Sequence, residues 1–173
     1  NILNRDFTAN TVNEKWCTDV TEMKYRSEGG KAYLSAILDL KSKDIVSFAI
    51  GKSNNNQLVF ETFDSAVPKY PDAHPLFHGD RGFQYTSKQF KAKLDKQKME
   101  QSMSRVGRCI DNGPMEGFWG ILKCEMYDLN QFETYEELAA AVEQFIHYYN
   151  HQRRQHKLNC LPPATYRSLL EAA

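Results

Sequence analysis

The sequence lacks the features that mark exported and membrane proteins. Its 173 residues contain four cysteines without a Cys-x-x-Cys pair, so they indicate neither a disulfide framework nor a cysteine-based zinc site. No apolar run approaches the ~18 residues that a transmembrane helix needs, and the N-terminus lacks the charged-then-apolar layout of a signal peptide. We therefore expect a globular protein with free thiols that works in the cytoplasm and does not enter a membrane.

The chain also has no net charge, but its charges are unevenly distributed. Nine Lys or Arg residues stand against five acids between residues 81 and 125, and residues 144–170 contain four basic residues and no acid. Acids collect instead between residues 133 and 143. A basic face that meets DNA and ordinary solvated helix faces both explain this pattern.

The order of apolar patterns predicts a mixed α/β fold. Residues 16–23, 32–40 and 45–50 read as a three-strand antiparallel meander, and short strands follow at 75–78 and 99–103. Helical periodicity covers residues 59–67 and 86–94, and later helices begin at Pro114, at a capping box from Thr134 and at Pro162. We expect a five-stranded mixed sheet with parallel strands after the meander, helices on both faces and extra C-terminal helices. The expected division is an N-terminal linker or extended arm (1–13), a catalytic core (14–130) and a helical extension of the same domain (131–173).

Three acids stand in settings that suit metal ligands. Asp19 is in the middle of the first strand, where an acid is costly unless something satisfies it. Asp80 follows a short strand inside a glycine-bracketed turn. Glu116 lies in the first turn of the helix that Pro114 opens, where the helix dipole alone also favours a carboxylate. Each acid singly has an equally good structural explanation, so the interpretation depends on their combination.

Four segments together resemble the catalytic cores of bacterial insertion-element transposases of the two-reading-frame kind. These enzymes belong to the DDE superfamily that includes the retroviral integrases, and the 35 residues between Asp80 and Glu116 match the interval of that class. The likeness covers about residues 14–170. The matching segments are WCTDVT at 16–21, HGDRGFQYTS at 78–87, SRVGRC and DNGPME at 104–109 and 111–116, and YNHQRR at 149–154 with His156, Leu158, Pro163 and Tyr166.

The resemblance implies an RNase H-like fold and metal-dependent DNA chemistry. Asp19, Asp80 and Glu116 would bind two Mg²⁺ or Mn²⁺ ions, which are suited to oxygen ligands and to phosphoryl transfer. The implied reaction is cleavage at the transposon ends followed by attack of the 3′-hydroxyl on target DNA, by a homo-oligomer assembled on DNA in a bacterium, associated with the nucleoid when it acts. Alternatives are an RNase H-like nuclease on hybrid or branched nucleic acid, and a decayed transposase that only binds DNA.

The resemblance and the charges also suggest DNA contacts. Lys123 lies seven residues after Glu116 on the same predicted helix face, where integrase-class enzymes place a DNA-contacting basic residue. Asn112 is a further candidate that positions the backbone or, as the more conservative interpretation, caps the helix. The remaining candidates are arginines, which suit phosphate: Arg81, Arg105, Arg108, Arg153 and Arg154.

Other acids are interpreted as structural. Asp39 ends the second strand, Asp111 resembles a helix cap, and Glu125 is too far along the helix to join the three acids. The chain begins at Asn1 and shows no helix-turn-helix or zinc module before Thr18. We therefore expect a fragment whose separate or upstream helix-turn-helix region recognises the element ends.

Overall fold

The β-branched and apolar segments at the start of the chain form the expected meander. In the computed structural model, which describes residues 2–105 and 109–172, strand β1 covers Lys15–Lys24, β2 covers Lys31–Asp39 and β3 covers Ile45–Gly51. Strand β2 pairs antiparallel with β1 on one side and with β3 on the other. The register places Asp19 opposite Ala36, near the middle of β1.

Two short strands complete the sheet on the other side of β1. Strand β4 (Leu76–Gly79) lies parallel to β1, and β5 (Gln101–Met103) lies parallel to β4. The order across the sheet is β3-β2-β1-β4-β5, so the predicted five-stranded mixed sheet is confirmed. Strand β5 has only three residues, which explains why its sequence signal is weak.

The helices begin where the sequence offers caps. Asn55 and Ser87 accept backbone hydrogen bonds at the starts of α1 (Asn56–Ala66) and α2 (Lys88–Lys96). Helix α3 (Gly113–Leu122) has proline in its first turn and continues as a π-helical segment, Lys123–Tyr127. Helix α4 (Tyr135–His151) starts at the predicted capping box of Thr134 and Glu137, and α5 (Pro163–Glu171) follows Pro162.

The sheet buries a hydrophobic core on each face. One core joins the sheet to α1 and α2 through Trp16, Phe63 and Phe90. The other joins it to α3 and α4 through Cys17, Phe118 and Tyr149. Because side chains alternate along a strand, Asp19 shares the face of Cys17 and therefore points toward α3. The prediction of helices on both faces is confirmed.

A buried charge network closes the sheet at the end away from Asp19. Asp39, opposite Trp16 in the register, accepts hydrogen bonds from the backbone of Asn13 and from Ser42, and lies 3.3 Å from Nη2 of Arg167. Arg167 also bonds Asp44 through Nε at 3.1 Å. The interpretation of Asp39 as a structural acid is therefore confirmed.

The N-terminal residues pack against the domain. Leu3 and Ala9 belong to the core on the α3 side, and Lys15 binds Asp6 at 2.8 Å. The division of the chain at residues 13 and 130 stays a prediction. None of the helices in the described part of the chain combines the length and the apolar character needed to cross a membrane.

Candidate active site

Parallel pairing of β1 and β4 brings Asp19 and Asp80 to the same region of the sheet. Cys17 stands opposite His78 in the register, and each of the two acids follows two residues later along its own chain. Strand β4 ends at Gly79, so Asp80 is the first residue beyond it. The expected convergence of these two acids thus follows from the strand order.

Helix α3 supplies the third acid through its contact with β1. Trp119 is buried between the helix and the sheet, and its indole Nε1 donates a 3.0 Å hydrogen bond to Oδ2 of Asp19. Glu116 lies almost one helical turn before Trp119 and is exposed at the start of α3. The entrance of α3 is thereby held beside the middle of β1.

The environment of Asp19 raises the pKa of its carboxyl group. The pKa of the Asp19 carboxyl is raised to about 6, mainly by burial and also by the negative charges of Asp80 and Glu116, while the Trp119 hydrogen bond opposes the increase. A carboxyl group whose pKa is raised by partial burial and by like charges is typical of functional sites. The strand pairing brings Asp19 and Asp80 to the same region of the sheet, and the convergence of Glu116 with them on one metal site stays a prediction.

A tight turn orients Asp80. The backbone N–H of Gly82 donates a 2.7 Å hydrogen bond to Oδ1 of Asp80. A Cβ atom on residue 82 would lie 2.9 Å from that same oxygen and 2.9 Å from Oε1 of Gln84, so only glycine fits without displacing the acid. Glycine at position 82 therefore allows Asp80 to keep its observed orientation.

The oxygen atoms at this site suit a hard divalent cation. Asp19 and Asp80 each have one oxygen held by an N–H group, an arrangement that orients metal ligands in proteins. Within residues 2–105 and 109–172, no group of three or more His, Cys, Asp or Glu side chains is arranged closely enough to hold an ion. The chemistry of the donor set fits Mg²⁺ or Mn²⁺.

Asn112 does not cap α3. It stands at the N-cap position, but its side chain makes no capping hydrogen bond, and its Nδ2 instead donates to the Thr18 carbonyl at 3.0 Å. The residue is buried. The capping interpretation is therefore wrong, because the amide nitrogen donates to the β1 backbone next to Asp19, and a DNA contact by Asn112 stays a prediction.

Asp111 does not act as a cap either. Its carboxylate is buried and forms ion pairs with Arg5 and Arg105. These hydrogen bonds, that of the Arg105 side chain first, hold the pKa of Asp111 well below its usual range. A buried acid needs such partners, which explains why the capping interpretation fails.

The candidate basic residues fall into two groups. Arg105 and Arg153 are engaged with carboxylates, Arg105 with Asp111 and Arg153 with Glu125 at 2.6 Å. Arg81 is exposed, with its Nε held by the Ser104 carbonyl, Arg154 is exposed, and Lys123 is half-buried at the end of α3. Arg108 lies outside the described residues.

The sequence interpretation missed two side chains that shape the site. Trp119 stands three residues after Glu116, a spacing that places both near one helix face and offered a usable signal. The buried Tyr85 lies 3.1 Å from the Thr18 hydroxyl, and burial raises the pKa of its phenol. Nothing local in the sequence pairs Tyr85 with Thr18, because 67 positions separate them.

Comparisons with protein families identify the domain. Residues 9–109 match a model described as the integrase core domain, and residues 116–169 match a second model with the same description. The matched residues include Asp19 and Asp80 in the first and Glu116 in the second. The family model alone therefore covers more than half of the chain.

Similar curated proteins come from bacterial mobile elements. An uncharacterized transposase-like protein of Haemophilus influenzae is 43% identical over 168 residues, which cover 97% of this chain and 77% of that protein. A putative transposase for the insertion sequence IS150 of Escherichia coli is 40% identical, with 97% and 59% covered. The chain thus spans about three fifths of the insertion-sequence relative.

Solved structures agree on the fold. The HTLV-2 integrase catalytic core domain in complex with magnesium, in a trimeric form, superposes with a TM-score of 0.73 at 19% identity, covering 92% of this chain and 99% of that one. The core in the simian T-cell lymphotropic virus intasome gives a TM-score of 0.72 at 20% identity, covering 85% and 51%. The predicted RNase H-like fold is confirmed. The chain therefore belongs to the integrase core domain family, as the catalytic core of a DDE transposase of the insertion-element kind.

Proposed function

We propose that this chain carries out the metal-dependent cleavage and strand transfer that move an insertion element, with Asp19, Asp80 and Glu116 as its catalytic carboxylates. The observation that carries the proposal is the hydrogen bond from Trp119 to Asp19, which holds α3, with Glu116 in its first turn, against the strand that pairs with β4 ahead of Asp80. The relatives from Haemophilus influenzae and Escherichia coli support a bacterial DNA transposase, and we propose that it acts in the cytoplasm, at the nucleoid.

The three carboxylates would hold two Mg²⁺ or Mn²⁺ ions. When bound, such ions activate the attacking hydroxyl and stabilise the departing oxygen of a phosphodiester. Asp19 and Asp80 would bind the cations through the oxygen that is not held by Trp119 or by Gly82, and Glu116 would complete the ligand set. The Trp119 and Gly82 N–H groups would fix the two aspartates. No side-chain nucleophile is needed, because water would attack the phosphodiester at the element end and release a 3′-hydroxyl. That hydroxyl would then attack a target phosphodiester and displace the 3′-hydroxyl of the target strand.

Basic residues near the acids would hold the DNA backbone. Lys123 lies two helical turns after Glu116, at the C-cap of α3, which supports a contact with the element end. Arg81 follows Asp80 directly, and its Nε is anchored on Ser104, which leaves the guanidinium tip for phosphate. The ion pairs of Arg105 with Asp111 and of Arg153 with Glu125 favour structural roles for those two arginines.

The chain would act within a larger assembly. We expect the isolated chain to bind DNA weakly, with strong salt dependence and little sequence preference, because phosphate contacts carry no sequence information. An upstream helix-turn-helix region would read the element ends, and a homo-oligomer would pair them. Tight, sequence-selective binding by this chain alone would contradict that expectation.

A strand-transfer assay tests the proposed function. The full-length protein would be assayed on its cognate end DNA as wild type, as Asp80→Asn and as the control Asp64→Asn, which changes an exposed acid paired with Lys93. We expect Asp80→Asn to lose at least about 100-fold of the activity, since it removes a metal ligand, and the control to retain it. Undiminished transfer by Asp80→Asn would remove this residue from the mechanism, and hydrolysis of RNA–DNA hybrid without transfer would indicate a nuclease instead.

A further inference from the structure

Two arginines from distant parts of the chain bind one buried carboxylate. Arg5 Nε donates to Oδ1 of Asp111 at 2.6 Å. Arg105 donates to Oδ2 through its backbone N–H at 3.0 Å and through Nε at 2.9 Å, and to Oδ1 through Nη2 at 3.0 Å. Asp111 precedes α3 and stands five residues before Glu116. The carboxylate is inaccessible to solvent, so its position is set by these partners.

The N-terminal segment that carries Arg5, here called the arm (residues 2–13), also contacts β5, the neighbour of the strand that leads to Asp80. The backbone N–H of Leu3 donates to the Ser102 hydroxyl at 2.9 Å, and that hydroxyl also lies 2.9 Å from Nδ1 of His78. The other ring nitrogen of His78 lies 2.9 Å from the Asp111 carbonyl. His78 is buried two residues before Asp80. A closed chain of hydrogen bonds therefore links the arm, β5, β4 and the entrance of α3.

The arm adopts an unfavourable backbone to make these contacts. Asn4 and Arg5 have φ angles of 46° and 64°, and the N–H of Asp6 donates to the Leu3 carbonyl at 2.8 Å across this turn. Left-handed conformation is costly for a residue with a Cβ, and glycine is the preferred residue at such a position. Strain of this kind persists where surrounding contacts fix it and is concentrated at functional sites. The ion pair with Asp111 therefore explains why arginine is held in this conformation at position 5.

We propose that Arg5 is a positioning residue for the active site. By holding Asp111, Arg5 fixes the entrance of α3, and through the Ser102–His78 link the arm fixes this entrance relative to β4. Glu116 is thereby set at a defined place relative to Asp80. This inference rests on the proposed function, because it concerns the geometry of the three acids. Because Arg105 also binds Asp111, through Nε, Nη2 and its backbone N–H, we expect the domain to fold when Arg5 is replaced.

Substitution of Arg5 in the full-length protein separates a positioning role from a general structural one. The variants are Arg5→Gln, the conservative Arg5→Lys, and the control Arg26→Gln, which removes an exposed arginine paired with Glu133. We expect Arg5→Gln to lose about tenfold in strand transfer and to exchange amide hydrogens faster at residues 109–116 but not in β2. We expect Arg5→Lys to recover most of the activity and Arg26→Gln to match wild type.

Several outcomes would overturn the inference. Wild-type transfer and wild-type exchange in Arg5→Gln would show that the ion pair positions nothing. Faster exchange throughout the sheet, with no recovery in Arg5→Lys, would show a general loss of stability. If the wild-type protein itself transfers no strand, the proposed function fails, whereas the exchange measurement at residues 109–116 still tests the link through Arg5.

Discussion

The indole N–H of Trp119 donates a 3.0 Å hydrogen bond to Oδ2 of Asp19 and so connects the catalytic helix to the central strand. Trp119 is on α3, three residues after Glu116, and Asp19 is on β1, beside the strand that ends just before Asp80. One contact therefore orients an acid and docks the helix that carries another. The proposed geometry of the site depends on this hydrogen bond.

Replacing Trp119 by phenylalanine should weaken metal binding. The ring remains to fill the core, but Asp19 loses the hydrogen bond that lowers its pKa and fixes its oxygen. We expect Mn²⁺ affinity, measured by calorimetry at neutral pH, to fall about 10-fold, as is typical when an outer partner of a metal ligand is lost. Trp16→Phe is the matched control, because the Trp16 indole binds Asn13 instead. An equal loss in both variants would contradict the role of Trp119.

Replacing Asp19 by asparagine should stabilise the metal-free protein. The pKa of Asp19 is raised from 3.8 to about 6 in the fold, so the folded state binds more protons than the unfolded state between these values. The stability that protonated Asp19 contributes to the fold is therefore fully present below about pH 4 and is lost as the pH rises through about 6. We expect Asp19→Asn to gain about 1–3 kcal/mol at pH 7 in urea unfolding and to abolish strand transfer.

The matched control for that measurement is Asp64→Asn. Asp64 is exposed and pairs with Lys93, so its substitution should change the free energy of unfolding by less than about 0.5 kcal/mol. An Asp19→Asn variant no more stable than wild type at pH 7 would show that the ionised Asp19 carboxylate does not destabilise the fold.

Lys123 and Arg153 should differ in their effect on DNA binding. Lys123 lies directly after α3, two helical turns beyond Glu116, whereas the Arg153 guanidinium is bound to Glu125 through Nε and Nη2. In the full-length protein, Lys123→Gln should weaken binding to end DNA and reduce the slope of log affinity against log salt by about 1. Arg153→Gln should leave the slope unchanged. The reverse ranking would assign the phosphate contact to Arg153.

Removing the buried arginine at the far end of the sheet should cost stability without touching the site. Arg167→Met would leave the buried Asp39 and Asp44 without their shared cation, and loss of one partner of a buried ion pair costs about 3–5 kcal/mol. Urea unfolding measures this loss. The control Arg26→Met removes an exposed pair and should cost less than about 1 kcal/mol. A loss below 1 kcal/mol for Arg167→Met would contradict the role assigned to the network.

The sequence predicts the strands and the three acids because these features are local. Alternating apolar residues define β1 to β3, and the turn with Gly82 and the proline entrance to α3 mark the surroundings of Asp80 and Glu116. The sequence predicts helix caps at Asn112 and Asp111, because positions just before a helix are typical of caps, and these two predictions are wrong. Asn112 binds Thr18, 94 positions away, and Asp111 binds Arg5, 106 positions away, and only the fold brings such pairs together. Arg105, the second partner of Asp111, is six positions away in the chain.

The central claim is that the carboxylates at positions 19, 80 and 116 hold divalent cations together. A crystal of this protein soaked in Mn²⁺ and measured at the manganese absorption edge tests the claim directly. We predict anomalous peaks within about 2.5 Å of oxygen atoms of Asp19 and Asp80, with Glu116 completing the ligands. Manganese bound elsewhere, with the three side chains pointing to separate surfaces, would contradict the account.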